Sequence, residues 1–179
     1  MAKLDYSIIY ERIKPKDFPV ECLGMYCLCK VAHAHQVRKG SGLPYYIHPR
    51  GVAMIVKLCG GTNDQISAAL GHDLLEDTEY SFADIATVAN SVHVAELCSE
   101  LRNNRHVIQE VGKTEYMTEK LLKMSEEALL IKLADMLYNS WDQPAEKAMN
   151  RMYKNVCELL LKRKINDKCR ELAQLIILA

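Results

Sequence analysis

Apolar side chains recur at intervals of three and four along most of the chain, and strict alternation of apolar and polar positions is almost absent. That is the helical period, so the pattern predicts an all-α protein with no hairpin-forming runs. The spacing predicts a first helix over about 19–37: Pro19 occupies the first turn, Leu23, Cys27 and Val31 recur every fourth residue, and Arg38-Lys39-Gly40 stops it. A loop, Gly40-Ser41-Gly42-Leu43-Pro44, leads to a helix that Pro49 opens and Gly60-Gly61 closes after Leu58. Asn63 or Asp64 caps the next helix, which is expected to carry on through His72 to Asp77. Further helices are expected over 82–90, 92–104, 113–125, 126–142, 145–164 and 167–178, with breaks at Asn103-Asn104, Gly112 and Pro144.

Two of these helices carry polar side chains where the pattern calls for apolar ones. In Gly71-His72-Asp73-Leu74-Leu75-Glu76-Asp77-Thr78, His72 and Glu76 are one helical turn apart, as are Asp73 and Asp77, so a continuous helix would gather all four on one face. Burying an unpaired charge costs several kcal/mol in order of magnitude, and a bound cation would offset that cost. In the helix over 126–142, Lys132, Asp135, Asn139 and Asp142 form a polar stripe among leucines, where Asp135 needs either a metal or an ion pair with Lys132. A third element is His48, just before Pro49 at the mouth of its helix. By itself it reads as a cap or a surface residue. Together, His48, His72, Asp73 and Asp135 make a mixed nitrogen and oxygen donor set without thiolate, suited to Mn²⁺, Fe²⁺ or Zn²⁺. His33, His35, His93 and His106 are weaker candidates, His33 and His35 being expected on opposite sides of the first helix.

Composition narrows the setting. The chain has 179 residues and no linker-like stretch, so one domain over 1–179 is expected, with its motif-bearing core at 19–164. Lys plus Arg and Asp plus Glu both count 23, which provides no global field for nucleic acid or a membrane surface. The basic cluster over 154–170 lacks interleaved aromatics and reads as a solvated helix face. Seven cysteines, none in a C-x-x-C arrangement, read as reduced core residues. The start, Met1-Ala2-Lys3-Leu4-Asp5, shows no apolar leader, and no apolar run approaches the ~18 residues of a membrane span, so a cytoplasmic location is expected.

Four ordered motifs carry a family resemblance: Ala32-His33-x-x-Gln36-x-Arg38-Lys39, Gly42-x-Pro44-Tyr45-x-x-His48-Pro49, Ala68-Ala69-Leu70-x-His72-Asp73-x-x-Glu76-Asp77-Thr78, and Lys132-Leu133-Ala134-Asp135-x-Leu137-Tyr138-Asn139. Over about 32 to 142 the chain resembles the HD superfamily of metal-dependent phosphohydrolases, and more narrowly the hydrolase domain of the RelA/SpoT homologues. It is most similar to the small stand-alone hydrolases of the metazoan SpoT type, and no synthetase domain is expected. The resemblance implies a multi-helix bundle that hydrolyses the 3′-pyrophosphate of the alarmones ppGpp and pppGpp, giving GDP or GTP and pyrophosphate, with Mn²⁺ as the usual metal. It also implies His48, His72, Asp73 and Asp135 as ligands, Glu76 and Asp77 as the catalytic acidic pair, and Arg38, Lys39, Asn139 and Tyr153 as nucleotide contacts. Trp141 and Asp142 depart from the pattern of the bifunctional enzymes, on the substrate side. Two other readings remain open: an HD phosphohydrolase acting on another nucleotide (an adenine alarmone, NADPH or a deoxynucleotide), and a non-catalytic nucleotide-binding module.

Overall fold

The computed structural model describes residues 13–39, 41–142 and 147–179. Gly40, the start of the chain, the break expected at Pro144 and the first two residues of the helix expected over 145–164 fall outside them. The architecture is all-α: α1 (Leu23–Ala32), α2 (Ile47–Leu58), α3 (Asn63–Gly71), α4 (Leu74–Asp77), α5 (Phe82–Ala89), α6 (Val92–Leu101), α7 (Arg105–Val111), α8 (Lys113–Lys123), α9 (Glu126–Asp142), α10 (Lys147–Leu160) and α11 (Asp167–Leu178). Among the described residues the sole β-type pairing is an isolated bridge between Val37 and Pro44.

Local chemistry sets most of these boundaries. Thr62 and Gln65 form a reciprocal capping box at the start of α3, and Ser81 and Asp84 do the same for α5. Single side-chain caps begin α6 (Ser91), α7 (Asn104) and α11 (Asn166). Asn90 takes the left-handed conformation, φ 50°, that ends α5, and Gly112, φ 87°, separates α7 from α8.

Helix α9 is the central post. Its side chains from Ala128 to Tyr138 are all buried, and it packs on α2, α3, α6 and α11. A helix apolar on every side is stable only when surrounded, and the expected span 126–142 is the span observed. Burying α9 also buries Lys132 and Asp135, which fixes where the polar stripe must find its partners.

The sequence expectation fails at three helices. The first helix ends at Ala32 and is preceded by a 3₁₀ turn, Val20–Cys22, because the chain turns at His33, whose side chain bonds Gln36, to reach the Val37 bridge. It also buries a different stripe: Cys22, Met25, Tyr26, Leu28 and Cys29 face the core, whereas Cys27 and Val31 are exposed. Two apolar stripes were available, and the one with the larger aromatic and thioether side chains is buried. The expected helix from 63 to 77 breaks after Gly71, and the one expected over 92–104 ends at Leu101, with α7 as an additional helix after the break.

Close approach around α9 gives a stability prediction. A Cβ on Gly51 of α2 would collide with the buried Tyr138 ring, 2.6 Å from Cδ2 and 2.9 Å from Cζ. Tyr138 lies edge-on to His48, 5.0 Å between centroids, so its ring cannot retreat without disturbing that histidine. Gly51→Ala should therefore cost about 1–3 kcal/mol by overpacking. Thermal unfolding should shift down by roughly 2–4 °C per kcal/mol.

Candidate active site

The break at His72–Asp73 shapes the site. Helix α3 delivers His72 as its C-terminal flanking residue, and Asp73 precedes the single turn of α4. Hydrogen bonds from the Glu76 and Asp77 amides to the Asp73 carbonyl, 3.2 and 2.9 Å, restart the helix. The four polar residues thus do not share one continuous helical face. His72 and Asp73 turn inward while Glu76 and Asp77 stand at the rim of a cleft. His48, in the first turn of α2, and Asp135, in the middle of α9, complete the inner group.

The inner group is tight and nearly dry. Donor atoms of His48, His72 and Asp73 all lie within 4.8 Å of one another. Asp135 Oδ1 is 3.2 Å from His48 Nε2 and 3.9 Å from His72 Nε2. His72 Nε2 also lies 3.2 Å from Asp73 Oδ2, and His48 Nε2 lies 3.7 Å from it. A carbonyl can only accept, so the 2.8 Å contact with Ala69 O puts a proton on His72 Nδ1 and leaves Nε2 facing the cluster. Nε2 is buried without a hydrogen-bond partner among the described residues. A buried, orphaned imidazole nitrogen between two carboxylates fits a metal ligand whose ring is oriented through its other nitrogen. His48, His72 and Asp73 therefore form a group able to hold a divalent metal ion, with Asp135 beside it.

Electrostatics agree with that reading. Burial opposes a charge on His72, but the Asp73 carboxylate outweighs it and raises the pKa to about 9. Burial likewise opposes ionisation of Asp73, yet the imidazole of His72 holds it below the usual carboxylate range. Asp135 is buried too, and Lys132, with Nζ 2.7 Å from Oδ2, keeps it ionised well below its ordinary value. At His48 burial outweighs the opposing pull of Asp135 and Asp73, and the pKa falls. In the metal-free pocket the two carboxylates are thus matched by the Lys132 ammonium and the His72 imidazolium, while His48 stays neutral. Of the sequence alternatives for Asp135, the Lys132 pair is present, and it leaves Oδ1 turned toward the histidines.

Outer contacts hold these side chains. Tyr45 donates its hydroxyl proton to Asp73 Oδ2 at 2.8 Å. Asn139 Nδ2 donates to Asp135 Oδ1 at 2.6 Å, and its own Oδ1 accepts from Arg38 Nη2 at 2.7 Å. Arg38 Nε bonds Asp142 Oδ2 at 2.8 Å. Both members of the Arg38–Asp142 pair are nearly buried, with side chains 7% and 6% exposed. Asp142, noted as a departure on the substrate side, thus neutralises the arginine expected to grip a nucleotide. Tyr153, on α10, is buried in the core, where its pKa is raised by burial and by Asp135.

At the rim, a loop between α6 and α7 grips the acidic pair. The Asn103 backbone amide and its Nδ2 both donate to Glu76 Oε2 at 3.0 Å. Arg105 Nη2 lies 2.8 Å from Asp77 Oδ1, and Gln36 Nε2 donates to the Asp77 carbonyl at 2.8 Å. Burial, followed by the nearby Asp73 and Glu76 charges, raises the pKa of Asp77. Glu76 and Asp77 open onto a cleft of about 600 Å³ lined also by Gln36, Val37, Arg38, Lys39, Tyr45 and Arg105. Lys39 is exposed there, whereas Asn139 and Tyr153 lie outside its lining.

The structure adds Tyr45, Asn103 and Arg105 to the residues read from sequence. Tyr45 already stood within a motif, next to Pro44. Asn103 reads in sequence as a helix break, and nothing local marks Arg105, which reaches Asp77 across 28 positions. His33, set aside in sequence, is fully buried at the site's edge, its Nδ1 2.9 Å from Gln36 Oε1 and its ring 4.9 Å from that of Tyr45. It lies past the end of α1, so no helical relation to His35 applies. The polar start of α8 lies away from the cleft lining, and Lys120 Nζ caps the Leu101 and Arg102 carbonyls at 2.9 and 2.6 Å.

Comparison with known proteins agrees with this geometry. A protein named guanosine-3′,5′-bis(diphosphate) 3′-pyrophosphohydrolase MESH1 from Danio rerio is 34% identical over 113 residues, covering 62% of each chain. Its counterpart in Xenopus tropicalis is 36% identical over 119 residues, again 62% of each. A guanosine-3′,5′-bis(diphosphate) 3′-pyrophosphohydrolase of Aquifex aeolicus is 33% identical over 123 residues, 64% of this chain but 16% of that protein. The match thus spans somewhat under two thirds of the vertebrate relatives and a small part of the bacterial one. A solved structure, described as a metazoan orthologue of SpoT that hydrolyses ppGpp, superposes with a TM-score of 0.74 at 25% identity, covering 88% of this chain and 94% of that one. The HD domain profile matches residues 26–157, which contain every residue of the inner cluster and the acidic pair. With that match over most of its length, the chain belongs to the HD domain family.

Proposed function

We propose that this protein is a metal-dependent pyrophosphohydrolase that removes the 3′-pyrophosphate of ppGpp or pppGpp, releasing pyrophosphate with GDP or GTP. The observation that carries it is the pairing of a buried His48–His72–Asp73 cluster, Asp135 beside it, with two carboxylates at the rim of one cleft. The relatives' names give the substrate class, and the site's chemistry suits it. Among the described residues no helix is long and apolar enough to cross a membrane.

Phosphate esters resist attack because their negative oxygens repel a nucleophile. A divalent cation held by His48, His72, Asp73 and Asp135, Mn²⁺ in this reading with Fe²⁺ or Zn²⁺ also suited to the donors, would neutralise that charge and lower the pKa of an attacking water. Tyr45 and Asn139 hold the two carboxylate ligands in place. Asp77, whose pKa is raised by burial and by Asp73 and Glu76, accepts the water's proton, and Glu76, anchored by both Asn103 donors, orients the water. Lys39 meets the phosphates at the cleft mouth, while Arg38 and Asn139, backed by Tyr153, shape the nucleoside end.

The test is product analysis on Mn²⁺-loaded protein with ppGpp, alongside a Glu76→Ala, Asp77→Ala double variant. Pyrophosphate and GDP are expected from the wild type, with turnover in the double variant lower by at least about a hundredfold. Equal rates would rule out the acidic pair's role. The Arg38–Asp142 pair also favours a second reading, because a neutralised arginine suits a different nucleoside end. Running an adenine alarmone, NADPH and deoxynucleotides in parallel, with orthophosphate and pyrophosphate counted separately, tells the two apart.

A further inference from the structure

Arg105 spans the acidic pair: Nη2 is 2.8 Å from Asp77 Oδ1 and Nε is 3.7 Å from Glu76 Oε1. Its side chain is nonetheless 68% exposed. Ion pairs that open to water contribute little to stability and exchange partners at little cost. The residue also stands between two clefts. One is the 600 Å³ cleft of the acidic pair, and the other, about 470 Å³, is lined by Glu76, Ser99, Arg102, Asn103, Asn104 and Arg105. The shared wall is Glu76 and Arg105, and Arg102 adds a second guanidinium beyond it.

We propose that Arg105 is a substrate-contacting residue that exchanges the Asp77 carboxylate for a diphosphate group of the substrate. A guanidinium fork binds phosphate oxygens in pairs, and a diphosphate offers more charge and more such pairs than the close Asp77 oxygen and the more distant Glu76 oxygen beside Arg105 in the free protein. Arg38, the other arginine of the larger cleft, is committed to Asp142 and Asn139, so Arg105 is the arginine there whose partner a ligand can displace. The exchange would uncover Asp77 only when a phosphate is in place, which couples substrate arrival to a competent base. This second consequence rests on the hydrolase reading above, whereas the contact itself does not.

The experiment is calorimetric titration of the full-length, Mn²⁺-loaded protein with inorganic pyrophosphate, for wild type, Arg105→Gln and Arg105→Lys. Both substitutions sit on the surface, and Mn²⁺ affinity and melting temperature check that the site is intact. Arg105→Gln should weaken pyrophosphate binding roughly tenfold or more, as loss of a charged hydrogen bond does. Arg105→Lys should restore part of it, and KM for ppGpp should rise in the same order. An arginine that merely braced the loop would lower kcat without moving pyrophosphate affinity. Unchanged pyrophosphate binding in Arg105→Gln, or none in the wild type, overturns the proposal. Pyrophosphate binding through Arg105 without turnover of ppGpp would sink the alarmone assignment and leave the contact standing. Turnover with an unmoved KM would do the reverse.

Discussion

Asp73→Ala is expected to weaken metal binding and turnover together while leaving the helices in place. Asp73 faces both imidazoles and holds the Tyr45 hydroxyl, so no neighbour can take over its oxygen. Losing even an outer contact of a metal site typically costs 10–100-fold in affinity, so losing a ligand should cost at least about a hundredfold. Its side chain is 17% exposed, which lets water fill the space and spares the fold. Calorimetric Mn²⁺ titration with circular dichroism reads both consequences, and full activity in the variant would remove Asp73 from the metal set. The same titration carries a pH signature. His72, with its pKa near 9, holds a proton in the metal-free protein at neutral pH, and loading the site must release it. Wild-type Mn²⁺ affinity should therefore strengthen between pH 7 and 8, and Asp73→Ala, lacking the main charge that raises His72, should lose most of that dependence.

Lys132→Met is expected to be the most destabilising single change near the site. Lys132 is 8% exposed and sits 2.7 Å from Asp135, with burial opposing its charge and Asp135 restoring it. Methionine fills the volume but strands the carboxylate, and removing one partner of a buried pair costs about 3–5 kcal/mol. The metal-free variant should melt on the order of 10 °C below wild type. Saturating Mn²⁺ should recover part of that loss, because a cation beside Asp135 Oδ1 supplies the missing positive charge. A metal-free variant as stable as wild type would show that Asp135 is solvated rather than held by Lys132. Recovery absent in a variant that still binds Mn²⁺ would separate Asp135 from the metal.

The chain announces its chemistry through polar residues in apolar surroundings. His72-Asp73 and Lys132-x-x-Asp135 were legible because a buried charge needs a reason, and the reason could be named without coordinates. Their grouping with His48 across α2, α3 and α9 came from motif order and is now geometric. Helix α9 was legible to the residue, since a stretch of that length with apolar residues on nearly every side has one stable fate at the middle of a bundle. Boundaries were less legible where the tertiary fold overrides local pattern. The sequence continues helically through His72 and Asp73, but in the fold both side chains turn inward to the His48–Asp135 cluster, and the ladder breaks there.

What the sequence determined by itself is an all-α bundle, its central helix and the identities of the inner cluster, because these depend on periodicity, on the cost of burying charge and, for His48, on the order of the motifs. Which apolar stripe of α1 is buried, the Arg38–Asp142 bridge and the hold of Asn103 and Arg105 on the acidic pair were decided only by tertiary structure. Each depends on residues far apart in sequence meeting at one point, and no local period records such a meeting. Arg38 and Asp142 are 104 positions apart, and an exposed arginine at a loop end looks the same whether it faces water or a carboxylate.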